Sequence, residues 1–113
     1  MKYFEGKTIW ITGASSGIGE NLALALAPYA KTLILSARNS EALANVKSRC
    51  SSCRNVLVLP FDLANEIATE QAVSQAFGAV DRVDILFNNG GISQRASAMD
   101  TDEQVEKQLF QIN

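Results

Sequence analysis

The residues with the clearest chemical potential form one polar, glycine-rich stretch, Thr12-Gly13-Ala14-Ser15-Ser16-Gly17-Ile18-Gly19. It follows the β-branched run Thr8-Ile9-Trp10-Ile11. It opens a helical pattern in which Ile18, Leu22, Leu26 and Tyr29 recur every three to four residues. A strand, a glycine turn and a helix in that order aim backbone N–H groups and the positive end of the helix at an anion such as a pyrophosphate. In such a loop Gly13 permits the tight turn, Gly17 leaves room for phosphate oxygens, and Gly19 lets the helix lie close to the sheet. The spacing is G-x-x-x-G-x-G rather than the general G-x-G-x-x-G, and glycines alone are also compatible with a purely structural turn.

Further candidates stand at the ends of later apolar runs. Lys31–Ser36 reads as a second strand, and Ala37-Arg38-Asn39-Ser40 leaves its carboxyl end. Domains that bind NAD place an acidic residue roughly 20 positions after the glycine loop to accept the ribose hydroxyls, whereas an Arg there suits a 2′-phosphate. Arg38 occupies that place, with a guanidinium able to fork onto phosphate and stack on adenine. NADP(H) is therefore preferred over NAD(H), the alternative being a solvated Arg at a strand end. Asp62 and Leu63 follow a third run, Asn55–Pro60, and an Asp there is equally a turn former. Cys50 and Cys53 form Cys-Ser-Ser-Cys. The chain has no histidine and no second cysteine pair, so a four-ligand zinc site cannot be completed. The pair follows a helical pattern, where the negative helix end disfavours a thiolate, and it reads as two reduced loop thiols.

The string TGASSGIG closely resembles the cofactor loop of the short-chain dehydrogenase/reductases, and the resemblance extends from Gly6 to Asn113. It implies that Gly13, Ser15, Ser16, Gly17, Ile18 and Gly19 bind the cofactor. It also implies that Asp62 and Leu63 hold the adenine, with Asp62 accepting from its exocyclic amine. Asn88-Asn89-Gly90-Gly91 resembles the family's Asn-Asn-Ala-Gly motif, with Gly90 in place of Ala. Asn89, Gly90 and Gly91 would then close over the nicotinamide-side ribose. Asn113, 25 positions after Asn88, matches the place of a catalytic Asn that bends its helix and holds a water in a proton relay. NNGGISQR, Asn88–Arg95, is also similar to a subgroup of membrane-associated dehydrogenase/reductases, whose leading apolar anchor has no counterpart here. Tyr3-Phe4-Glu5-Gly6-Lys7 spells the family's Tyr-x-x-x-Lys pair. That pair needs two side chains one helical turn apart, and Gly6 and the approaching strand argue against a helix. The segment also enters the sheet at the end opposite to ligands.

The elements needed to position these residues follow from hydrophobic periodicity. Asn39 or Ser40 caps a helix over Glu41–Arg49 with Leu43 and Val46 inward. Asn65 caps another from Glu66 to about Val80, with Ile67, Val73, Ala76, Phe77 and Val80 on its apolar side. Ile85-Leu86-Phe87 is a fourth strand, and Thr101-Asp102-Glu103-Gln104 opens a last helix. Four alternations of strand and helix with short connections give an α/β fold, a doubly wound parallel sheet of Rossmann type. The expected strand order is 3-2-1-4, with the cofactor at the switch point between strands one and four.

The 113 residues are 47% hydrophobic and 19% charged with a formal net charge of −2, which suits a single soluble domain. That balance gives no electrostatic footprint for nucleic acid or an acidic membrane surface. No apolar run approaches a membrane span, and none precedes the first strand as a signal peptide would, so the cytoplasm is the default. The resemblance implies an NADP(H)-dependent oxidoreductase acting on a small-molecule carbonyl or secondary alcohol. The catalytic Ser and the helical Tyr-x-x-x-Lys of the family are not in the sequence. The chain therefore reads as the cofactor-binding half of such an enzyme, inactive by itself. The alternatives are a non-catalytic nucleotide-binding module and an inactive fragment. Strand four would leave an apolar sheet edge, so a homo-oligomer or poor solubility is expected of the isolated chain.

Overall fold

The computed structural model describes residues 2–89. A 3-10 turn, Lys2–Phe4, leads into β1 (Thr8–Thr12), α1 (Gly17–Leu26), β2 (Thr32–Ser36), α2 (Ser40–Arg49), β3 (Asn55–Val58), α3 (Glu66–Ala79) and β4 (Ile85–Asn88). The strands form one parallel sheet in the order β3-β2-β1-β4, as the sequence pattern predicts. β1 lies between two neighbours, pairing Thr8 with Thr32 and Ile9 with Ile85, so every one of its residues is buried. Strands of that kind read as unbroken apolar runs because both faces are covered.

The covers differ. On one face Ile9, Ile11, Leu33, Leu35 and Ile85 pack with Ala23 and Leu26 of α1 and Leu43 and Val46 of α2. On the other, Trp10, Ile34 and Leu86 pack with Ala72, Val73 and Ala76 of α3. Both helices after β2 begin on an asparagine cap. Asn39 Oδ1 accepts from Ala42 N at 3.0 Å, and Asn65 Oδ1 accepts from Ala68 N at 2.9 Å. An ion pair between Arg49 and Glu20 ties α2 to α1.

Two apolar faces differ from the sequence pattern. In α1 the inward residues are Gly19, Ala23 and Leu26, while Ile18 is 74% exposed and Tyr29 lies beyond the helix. Gly19 is the point at which α1 touches the turn after β1, so residues four and seven positions on face inward with it. Ile18 is rotated about 100° away. In α3 the inward row is Thr69, Ala72, Val73 and Ala76, and Ile67 is 69% exposed. Ile67 stands two residues before the row, on the opposite side of the helix.

Candidate functional site

The glycine turn is held by backbone conformations that only glycine adopts readily. Gly13 has φ 64° and Gly17 φ 57°. Gly19 is required for a different reason. A Cβ there would lie 2.0 Å from the Gly13 carbonyl oxygen, so helix and turn are in direct backbone contact. That carbonyl also accepts from Asn89 Nδ2 at 3.4 Å, which ties the end of β4 to the turn. Beside it Thr12 Oγ1 donates to Asn88 Oδ1 at 2.9 Å. Ala14 N donates to Ser36 O at 3.0 Å, fastening the loop to β2.

The N-terminus of α1 is open. Ser16 is its N-cap in extended conformation, yet its side chain makes no capping hydrogen bond. The first turn of a helix leaves N–H groups without intrahelical partners, and here they face outward with the positive end of the helix. A Cβ on Gly17 would meet nothing within 4 Å, so the space it would fill is free for another group.

A cleft of about 830 Å³ extends from this turn across the carboxyl ends of three strands. β1 and the turn after it contribute Thr12, Gly13 and Ser15; β2 and the segment after it contribute Ser36, Ala37, Arg38 and Asn39; the segment after β3 contributes Phe61, Asp62, Leu63 and Ala64. The structure thus brings Gly13, Ser15, Arg38, Asp62 and Leu63 together in one concavity, with Ser16, Gly17 and Ile18 exposed beside them and Gly19 buried beneath. Arg38 is exposed and makes no ion pair among the described residues. Asp62 is a turn former in fact, since its Oδ1 accepts from Ala64 N at 2.9 Å. The other carboxylate oxygen remains on an exposed side chain. Asn89 follows β4 directly and lies next to the glycine turn. Gly90, Gly91 and Asn113 lie outside the described residues.

Ser36, Phe61 and Asn39 also line the cleft, although the sequence does not single them out for the site. Ser36 ends the run Thr32–Ser36 as its one polar side chain at the carboxyl end, a position that fold rules mark for ligands. Phe61 packs edge-on to the Trp10 ring, with centroids 6.4 Å apart. Asn39 lines the cleft as well as capping α2.

The remaining candidates are elsewhere. Tyr3 and Lys7 meet at the amino end of the sheet, where Lys7 Nζ sits 5.0 Å above the Tyr3 ring centroid. Gly6, at φ 72°, separates the 3-10 turn from β1, so the pair shares no helix. Cys50 and Cys53 are free thiols, both buried in the core beneath α2. Burial pushes the Cys50 thiol above its ordinary pKa, and Cys53 adds to the effect while Arg49 opposes it. Such a thiol is inert rather than nucleophilic. Among the described residues no group of three or more His, Cys, Asp or Glu is placed to hold a metal, and no helix is long and apolar enough to cross a membrane.

Comparison with known proteins agrees with this geometry. The family model "short chain dehydrogenase" matches residues 7–113. Dehydrogenase/reductase SDR family member 7 of Homo sapiens is 48% identical over 114 residues, covering 93% of this chain and 32% of the relative. The SDR family protein 7-like of Drosophila melanogaster is 37% identical, covering 96% of this chain and 35% of its own. Among solved structures, NAD+-bound xylitol dehydrogenase superposes with a TM-score of 0.74 at 30% identity, over 80% of this chain and 35% of that one. The chain thus spans about a third of the length of these relatives. With the loop, the strand order and these matches in agreement, the chain belongs to the short-chain dehydrogenase family of oxidoreductases.

Proposed function

We propose that this chain supplies the dinucleotide-binding part of an NADP(H)-dependent oxidoreductase that moves a hydride between nicotinamide and a carbonyl or secondary alcohol. The fit rests on features of the cleft. The open end of α1 and the empty space over Gly17 suit a pyrophosphate. The observation that carries the choice of cofactor is Arg38, a cation just past the end of β2 that makes no ion pair among the described residues, with Ala37 rather than a carboxylate before it. A guanidinium there favours a 2′-phosphate and repels nothing in it, whereas two ribose hydroxyls call for a carboxylate. Asp62 and Leu63, across the cleft, would hold the adenine.

When bound, the nicotinamide supplies the hydride chemistry. The residues of this chain bind and orient the cofactor, which is the larger share of what protein contributes to such reactions. Asn89 would act by holding β4 to the glycine turn, and Gly90, Gly91 and Asn113 are assigned to the nicotinamide side by family resemblance. The xylitol dehydrogenase structure holds NAD+, so cofactor preference within the family must be read from the chain itself.

The test is Arg38→Ala in the full-length protein, with affinities for NADPH and NADH measured side by side. Loss of a charge-assisted phosphate contact of about 1.5–3 kcal/mol should weaken NADPH by roughly 10- to 150-fold. NADH should change by less than about threefold. Equal losses for the two cofactors would sink the assignment to NADP(H).

A further inference from the structure

A buried hydrogen bond gives one wall of the cleft a direction. Trp10, fully buried on the α3 side of the sheet, donates from Nε1 to Ser36 Oγ at 2.9 Å, and Ser36 itself is 1% exposed. An indole N–H only donates, so the Ser36 hydroxyl must be the acceptor in this bond. Its own proton is then left to donate elsewhere. No acceptor for it exists among the described residues, since Ser36 Oγ enters only the bond from Trp10. A buried polar hydrogen without a partner is costly. Ser36 lines the cleft between the glycine turn and Arg38, and Phe61, edge-on to the same indole, lines it from the segment after β3.

We infer that Ser36 is a cofactor-binding residue: its hydroxyl donates to an acceptor atom on the adenosine half of the bound dinucleotide, and Trp10 is the positioning residue that fixes the hydroxyl as a donor. The inference deepens the proposed function and rests on it. Phe61 extends the same device, because a ring held against the indole gives the cleft a rigid apolar wall next to the donor. The pair also explains why a large aromatic occupies the middle of the central strand. Trp10 spans from β1 to the end of β2, where an aliphatic residue would leave Ser36 with neither donor nor constraint.

The experiment is a double-mutant cycle in the full-length protein, with affinities for NADPH and NADH from nicotinamide fluorescence and ligand-free melting temperatures recorded in parallel. Ser36→Ala should weaken at least one dinucleotide by about three- to tenfold, the range of a single net hydrogen bond. Ser36→Thr, which keeps the hydroxyl, should restore binding. Trp10→Phe should weaken the same dinucleotide, and the double variant should bind no worse than Ser36→Ala alone, because Trp10 acts through Ser36. A merely structural pair would lower the melting temperature and leave affinity unchanged, which overturns the inference. Additive losses overturn the role of Trp10. If Ser36→Ala does not fold, Trp10→Phe decides by the same criterion. A wild-type protein that binds neither dinucleotide brings down the proposed function and this inference together, whereas tight wild-type binding with indifferent variants brings down this inference alone.

Discussion

Both ends of the sheet are hollowed to nearly the same extent, about 830 Å³ at the carboxyl ends of the strands and about 850 Å³ at the amino ends. Volume therefore does not identify the site. The carboxyl end has a glycine turn with two positive-φ residues, an uncapped helix start and one exposed Arg. The amino end is lined by Lys7, Lys31, Lys47, Arg54 and Arg82, with Glu5, Asp81 and Asp84 among them. It is also where α2 and α3 finish, and helix C-termini carry partial negative charge. Cations there offset the fold's own dipoles, whereas at the other end donors and positive charge are left over for a ligand. The backbone makes the same distinction. At the amino end Thr8 N is satisfied by Asp84 Oδ2 at 2.8 Å, and Asp84 N returns a bond to Thr8 O at 2.9 Å.

The strongest way to break this comparison is at Gly19. Gly19→Ala places a methyl 2.0 Å from the Gly13 carbonyl oxygen, a backbone atom that cannot swing aside. The expected cost is about 3 kcal/mol or more in denaturant unfolding, with dinucleotide binding abolished as the turn is pushed off α1. Gly78→Ala in α3, where an added Cβ meets nothing within 4 Å, should instead stabilise by about 0.5–1 kcal/mol and leave binding intact. Equal effects at the two glycines would show that the close approach at Gly19 is not what holds the loop.

The next effect belongs to the amino end. Asp84→Ala strips the acceptor from the buried Thr8 N–H and should destabilise by about 1–3 kcal/mol. The accompanying pair with Arg82 adds little, since Arg82 is 74% exposed. Cofactor affinity measured on the folded variant should be unchanged. A loss of affinity comparable to that of Arg38→Ala would mean that the two ends are coupled through β1, contrary to the division drawn between them.

Much of this arrangement was legible in the sequence because it depends on local patterns. Unbroken apolar runs such as Leu33-Ile34-Leu35 mark strands covered on both faces, and Asn39 and Asn65 mark helix starts; strand order follows from short right-handed connections. The glycine loop and Arg38 stand out in the sequence because the fold rule fixes their offset from a strand end. The remainder depends on contacts between distant segments. Nothing near Trp10 announces that its indole reaches Ser36, and nothing near Asp84 announces the Thr8 amide. Ile18 and Ile67 fit an apolar period yet stand in solvent, because the inward face of each helix is set by its closest approach to the sheet. In α1 that approach is at Gly19, a residue with no hydrophobicity to register. Cys50 and Cys53 read as loop thiols by position, and only the packing beneath α2 shows that they are core.

The smallest expected effect sharpens the electrostatic half of the comparison. Lys47 stands in the last turn of α2 and lines the amino-end cleft. If its charge serves the helix end, Lys47→Gln should cost about 0.3–1 kcal/mol at low ionic strength. Because the side chain is exposed, that cost should fade as salt is raised and the Debye length shrinks. The variant should bind NADPH as the wild type does at every salt concentration, while wild-type NADPH affinity itself weakens with salt through Arg38. A salt-independent loss of stability would point to lost packing of the lysine stem. A weakened NADPH affinity would mean that positive charge at the amino end draws the cofactor to the protein as a whole, and the two ends would then share one electrostatic role.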